Sequence, residues 1–298
     1  MKTKYPLLTV RGRIDYATLD SADNFLEDMQ GDTIYMLIES GGGDPAVGYR
    51  VMRLLEAKYK RIVAVVPAAA YSTATLMVLG ADEIYMRKSA CLGPLDTQIE
   101  HPSDGSTVSS LEIRDSLSGL AGALSSYAEG FFESLKNEMK LSKKDAAEIA
   151  MKTAADLVQP VASSLDPIYL QIGRRSTMAG QKYAEELLTS RMMKMRPALA
   201  SLVSKYLANR YYYHGYAITL NEASELLALN VKDVTDLPEW DEIKSLYKAH
   251  KEGEDFGVYL DEITVDDGKP DPKKIAASPQ SASATIVTSG KVNKGTQK

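Results

Sequence analysis

A few side chains in this sequence are placed to do acyl-transfer chemistry: a serine at a strand-to-helix junction, an aspartate in a glycine–proline loop, and three histidines. Ser72 stands within IVAVVPAAAYSTATLMVLGADEIYM, Ile62 to Met86. The β-branched run Ile62 to Val66 reads as a fully buried strand. Pro67 ends it, because proline brings no backbone N–H to a ladder. Three alanines and Tyr71 follow, and Ser72 heads a small-residue segment suited to a helix. A serine there exposes its Oγ beside the free N–H groups of the helix start. A nucleophile with oxyanion donors near its own backbone needs that geometry. Helix capping is the other role of a serine at this position, and this stretch alone leaves both open.

A second junction precedes it. In TIYMLIESGGGDPAVGYRVMRLLEA, residues 33 to 57, Ile34 to Ile38 is another buried strand. Ser40-Gly41-Gly42-Gly43 follows, and Pro45 opens a helix at its first turn. Successive glycines let backbone N–H groups approach a ligand without Cβ interference. Such a turn equally suits phosphate. It lacks the Gly-Lys-Ser/Thr ending of a P-loop and the spacing of a dinucleotide fingerprint.

Two such junctions in successive βα units, one glycine-rich and one bearing serine, resemble the ClpP/crotonase superfold and, within it, the ClpP-class serine peptidases. The SppA-like serine dehydrogenase proteinases are the nearest likeness in that class. The segments that carry it are IESGGGDPAVGYRVMRLL, PAAAYSTATLMVLGADEIYM and CLGPLDTQI. It extends over residues 5 to 100 and 205 to 235. The resemblance implies a homo-oligomeric serine endopeptidase that needs no cofactor or metal. Its substrate would be unfolded or extended polypeptide bound as an added strand, with an unfoldase or a membrane protein as a possible partner. In it Ser72 is the nucleophile, and the backbone N–H groups of Gly42 and Thr73 hold the oxyanion.

A serine hydroxyl needs a neighbouring base. His250, in KAHKEGED, reads as a solvated helix end and is set aside. His101 follows Ser72 by 29 residues, near the offset at which ClpP places its histidine, yet it falls in a polar loop. The segment that aligns there is Gly93-Pro94-Leu95-Asp96. His214 falls where ClpP has its acidic residue. The resemblance therefore implies an exchange of roles, with His214 as base and Asp96 as its orienter. Triads are defined by geometry, and their chain order varies. SppA-type peptidases use a lysine instead. Lys136, on the apolar stretch GFFESLKNEM, is the alternative base, and it would need a pKa lowered by desolvation. Each candidate also has a structural role open to it: a wet helix face for Lys136, and a packed histidine among Tyr211, Tyr212, Tyr213 and Tyr216 for His214. Two other functions share the fold: a crotonase-like acyl-CoA enzyme working through carboxylates, and an inactive scaffold that only binds partners. No nicotinamide fingerprint or pyridoxal lysine motif supports dehydrogenase chemistry.

The elements that must position these groups are legible in outline. The chain has 298 residues, a net charge of -5 and one cysteine, Cys91. That length supports a sizeable core, the charge argues against nucleic acid, and the cysteine count excludes a disulfide framework. Neither a signal pattern nor an apolar run long enough to span a bilayer is seen, so a cytoplasmic location is expected. An α/β core over residues 1–110 is expected, with strands at Leu7 to Val10, Ile34 to Ile38, Ile62 to Val66 and Glu83 to Met86. These alternate with helices at Tyr16 to Met29, capped by Asp15 or Asp20, and over 45–58 and 72–80, as parallel βαβ units do. Residues 111–207 read as a helical insertion, a cap or handle, broken near Pro160, Pro167, Gly173 and Pro197. Residues 208–265 close the core, with TLNEA (Thr219 to Ala223) as a short helix whose Thr219 and Glu222 fit a capping box. Trp240 to Lys251 lies in a charged helix, followed by an acidic extended stretch. From 266 to 298 the composition is that of a disordered tail.

Overall fold

In the computed structural model, which describes residues 2–100, 105–253 and 256–266, both apolar runs lie at the centre of a largely parallel sheet. The first part of the chain forms β1 (Lys2–Ile14), α1 (Tyr16–Asp28), β2 (Thr33–Gly43), α2 (Pro45–Lys58), β3 (Arg61–Val66), β4 (Ala69–Ala70), α3 (Thr73–Leu79), β5 (Glu83–Met86) and β6 (Cys91–Leu92). A small hairpin, β7 (Gln98–Glu100) and β8 (Thr107–Ser109), leads into four helices. These are α4 (Ser110–Asn137), α5 (Lys143–Ser163), α6 (Pro167–Ser190) and α7 (Pro197–Asn209). The chain then returns to the sheet through β9 (Ile218–Thr219), a π-helical turn at Glu222–Leu226, β10 (Val231–Asp233), α8 (Trp240–Glu252) and β11 (Gly257–Asp266).

Strands β1, β2, β3, β5 and β10 pair in parallel, and β11 closes the β1 edge antiparallel. The long β2 belongs to two ladders. Thr33 to Leu37 pair with β3, and Ser40 then pairs with Ala70 of β4, which continues through β6 to β9. The α/β arrangement is therefore one of stacked βαβ units, as expected. The strands are apolar on both sides because both are covered. Ile34, Met36, Ile38, Ile62, Ala64 and Val66 face the core built with α1, α2, α3, α6 and α7. Tyr35, Leu37, Val63 and Val65 alternate to the other face, against Ile243 and Tyr247 of α8.

Local chemistry sets the element ends. Asp15 caps α1 by accepting from the Ala17 and Thr18 N–H groups. Asp44 does the same for α2 from Ala46 and Val47, with Pro45 at the first position. Strand β1 extends well beyond the expected Leu7 to Val10. Its polar flanks are held by backbone pairing to β11, which also takes in Pro6 opposite Glu262. Pro167 and Pro197 open helices. Pro160 and Gly173 do not break theirs, contrary to expectation. Pro160 stands near the end of α5, where little ladder remains to be lost. Gly173 is buried on α6, where a small residue allows close packing, and its carbonyl accepts from Thr177 Oγ1. The TLNEA helix is a π turn, and only half of the expected capping box forms. Thr219 Oγ1 accepts the Glu222 N–H, while the Glu222 carboxylate accepts from Tyr211 Oη at 3.0 Å. No helix among the described residues is long and apolar enough to cross a membrane. The expected tail beyond Asp266 lies outside the described residues, as does His101.

Candidate active site

The carboxyl ends of β2, β4 and β6 converge on a cavity of about 450 Å³, lined by Gly41 to Gly43, Ser72, Thr73, Leu95 and His214 among others. Ser72 occupies the N-cap position of α3, but its side chain makes no capping hydrogen bond. Its backbone is at φ 53° and ψ -116°, a left-handed conformation that a non-glycine residue adopts at a cost of about 1–3 kcal/mol. The fold therefore holds Ser72 in a strained turn and obtains no cap from it, and Ser72 lines the cavity beside the glycine turn.

The neighbours enforce that turn. Gly42, at φ 103°, lies so close that a Cβ there would stand 2.9 Å from Ser72 Cβ and 2.9 Å from the Tyr71 carbonyl oxygen. Thr73 Oγ1 donates to the Gly43 carbonyl at 2.8 Å, fastening α3 to the end of β2. Thr75, fully buried, lies 2.6 Å from the Ala70 carbonyl oxygen and accepts the Gly93 N–H at 3.0 Å. The loop carrying Asp96 is thereby tied to the serine turn. Tyr71 Oη lies 3.2 Å from Cys91 Sγ, and the hydrogen bond between them, with burial, pushes the phenol up to about 12.

The two expected oxyanion donors differ. The Thr73 N–H is at the first position of α3, where no carbonyl of its own helix precedes it. The Gly42 N–H instead donates to Ser40 Oγ at 2.9 Å, and the Ser40 hydroxyl donates onward to the Gly12 carbonyl.

Asp96 is 1% exposed. Its Oδ1 lies 3.0 Å from His214 Nδ1, and its Oδ2 accepts from Ser109 Oγ at 2.6 Å. A carboxylate only accepts, so the proton of the His214 ring resides on Nδ1 and Nε2 is left as an acceptor. His214 sits in the loop after α7, amid the packed rings of Tyr211, Tyr213 and Tyr216. Its side chain keeps 27% exposure and lines the same cavity as Ser72. Among the described residues Ser72 makes no side-chain hydrogen bond, so the serine and the imidazole share the cavity without touching through one. Such bonds often form only when substrate closes the site.

The other expected bases stand elsewhere. Lys136 does not line the cavity; its ammonium lies over the Phe132 ring, 5.6 Å from the centroid. It falls near the far end of α4, about 40 Å along the helix from Ser110. No lysine is among the described residues that line the cavity. His250 is not the solvated helix end expected: its Nε2 lies 2.9 Å from Asp261 Oδ2, and its ring stacks on Tyr259. Side chains not singled out from sequence also reach the cavity or its support. Arg13 and Glu100 line it, and Ser109 holds Asp96. Ser109 did leave a signal, since Ser109 to Glu112 reads S-x-x-E ahead of an apolar helix.

No protein-family profile matches the chain, and no curated protein matches it in sequence. Solved structures do resemble it over part of its length. A variant of the 1510-N membrane-bound stomatin-specific protease is 17% identical with a TM-score of 0.30, covering 49% of this chain and 68% of its own. Another variant of that protease, in complex with a substrate peptide, is 18% identical with a TM-score of 0.32, covering 48% and 70%. The ClpP protease catalytic domain from Plasmodium falciparum is 14% identical with a TM-score of 0.25, covering 29% and 52%. This chain is similar to each of them in part of the chain path.

Proposed function

We propose that this chain is a serine endopeptidase acting on extended polypeptide, with Ser72 as nucleophile, His214 as general base and Asp96 as the group that orients the imidazole. The observation that carries this reading is the His214–Asp96 hydrogen bond on the wall of the cavity that also holds the strained, uncapped Ser72. Ser72 Oγ attacks the peptide carbonyl carbon as its proton passes to His214 Nε2. The carbonyl oxygen becomes an oxyanion facing the Thr73 N–H, joined by the Gly42 N–H once Ser40 releases it. The tetrahedral centre collapses, and the leaving amine takes the proton from His214. Water, deprotonated in turn by His214, then attacks the acyl-enzyme; carboxylate is released and Ser72 regains its proton.

A Ser/Lys dyad is disfavoured by the place of Lys136 on α4. A fluorophosphonate probe tests the reading. Wild-type protein should be labelled at Ser72 and should cleave casein or a peptide, and Ser72→Ala and His214→Ala should lose both. Casein cleavage that persists in Ser72→Ala would sink the proposal.

A further inference from the structure

Behind the His214–Asp96 pair lies a polar cluster. Asp96, Ser109, Ser110 and Thr177 are each more than nine-tenths buried. Ser109 is the N-cap of α4: its Oγ accepts the Leu111 N–H at 3.1 Å, and its own N–H donates to Glu112 Oε2 at 3.2 Å. The hydroxyl proton is left over, and it goes to Asp96 Oδ2 at 2.6 Å. Ser110 pins the same junction, donating its N–H to the Thr97 carbonyl, and its Oγ lies 2.7 Å from Thr177 Oγ1 of α6. A continuous line of hydrogen bonds therefore runs from the first turn of α4 through Ser109 and Asp96 to His214.

We propose that Ser109 is a positioning residue for the reaction: its hydroxyl fixes the Asp96 carboxylate and couples the seat of α4 to the orientation of His214. This rests on the reading of Ser72, His214 and Asp96 given above. With both oxygens engaged, the carboxylate has one rotamer, and Oδ1 stays aimed at Nδ1. An ordinary helix cap would spend its hydroxyl on the helix alone. This one serves a helix N–H and a buried carboxylate at once. Among the described residues, Glu112 on α4 and Arg13 and Glu100 on the cavity wall are charged, and none of them is hydrogen-bonded to Asp96.

The test must separate this role from capping. Ser109→Gly removes the hydroxyl yet keeps most of the capping strength, since glycine is nearly as good an N-cap. Ser109→Thr retains both functions, and Glu112→Ala weakens the capping box without touching Asp96. Two readouts are taken on the full chain: kcat and KM for peptide hydrolysis, and the proton NMR signal of the His214 Nδ1–H. Ser109→Gly should lower kcat about 10- to 100-fold with little change in KM, as small misplacements of a catalytic group do. Its His214 Nδ1–H signal should shift from the wild-type position, because the carboxylate it donates to is no longer held by Ser109. Ser109→Thr should restore both values, and Glu112→Ala should match wild type. If Glu112→Ala reproduces the Ser109→Gly loss, or the His214 signal stays where it is, Ser109 is only a cap and the proposal is overturned. The NMR arm does not depend on turnover. Inactive wild type would therefore count against the peptidase reading, while the Nδ1–H signal would still decide the link from Ser109 to His214.

Discussion

Asp96 Oδ1 and His214 Nδ1 meet at 3.0 Å although 118 residues separate them in the chain. The loop leaving β6 and the loop leaving α7 are brought together here, and the Leu95 N–H donates to the Leu207 carbonyl beside them at 2.9 Å. The helices α4 to α7 thus form a detour that returns the chain to the same point. Replacing the acceptor by an amide should leave the geometry in place while favouring the wrong imidazole tautomer. Asp96→Asn is expected to lower kcat by about 10³- to 10⁴-fold, with folding retained by circular dichroism. Activity within tenfold of wild type would remove Asp96 from the mechanism.

The central βαβ units were legible because buried parallel strands leave unbroken β-branched runs, and because Pro45 and Asp15 announce helix starts. The ends of β1 were hidden, and so was the pairing of the acidic extended stretch that forms β11. Lys4 stands opposite Thr264 and Pro6 opposite Glu262, and only long-range pairing reveals such polar stretches as sheet. In the site, Ser72 and the glycine turn could be read from local pattern. The pairing of Asp96 with His214 could not, since no periodicity links residues joined only by tertiary contact. Their nomination came from family likeness. Commitment of the Gly42 N–H to Ser40 was equally invisible, because a side-chain hydroxyl two residues away leaves no compositional trace.

Lys136 provides the clean contrast. Its side chain packs over Phe132 near the C-terminal end of α4, away from the residues that line the cavity. Lys136→Ala should label with fluorophosphonate at the wild-type rate and retain peptide hydrolysis within about twofold, a surface-type effect. A loss as large as that of Ser72→Ala would move the protein to dyad chemistry, with the lysine supplied from another copy of the chain.

Gly93 constrains the nucleophile through its neighbour. A Cβ there would lie 2.3 Å from Tyr71 Cδ1 and 3.0 Å from Tyr71 Cα, so both the ring and the backbone before Ser72 would have to give way. Gly93→Ala is expected to cost about 1–3 kcal/mol in denaturant unfolding, as overpacking does, and to slow labelling of Ser72. Gly119, within α4 and with open space around its Cβ direction, serves as the control. Gly119→Ala should stabilise by about 0.5–1 kcal/mol, because alanine is the better helix former. A Gly93→Ala variant with wild-type stability and labelling would show that Tyr71 is free to move.

At the opposite end of the sheet, Glu239 and Glu83 should respond to pH with opposite signs. Burial raises the Glu239 carboxyl above its usual range, and its Oε2 has no hydrogen-bond partner among the described residues. A folded pKa above the unfolded one means that the fold prefers the protonated acid. This contribution is complete below the unfolded value of about 4.3 and is lost as pH rises through the folded pKa. At pH 7.5 the charged form therefore weakens the protein, so Glu239→Gln should raise Tm there, with the gain vanishing near pH 4. Burial also pushes Glu83 upward, but its hydrogen bonds to Lys232 and Arg61 outweigh it and bring the carboxyl below its usual range. Its contribution is present above the unfolded value and lost as pH falls through the folded one. Glu83→Gln should accordingly lower Tm at pH 7.5 and leave the half-exposed Arg61 and Lys232 without their shared partner. Thermal melts of the two variants at pH 4 and 7.5 decide the matter: shifts of the same sign at pH 7.5 would contradict the opposed environments of these two carboxylates.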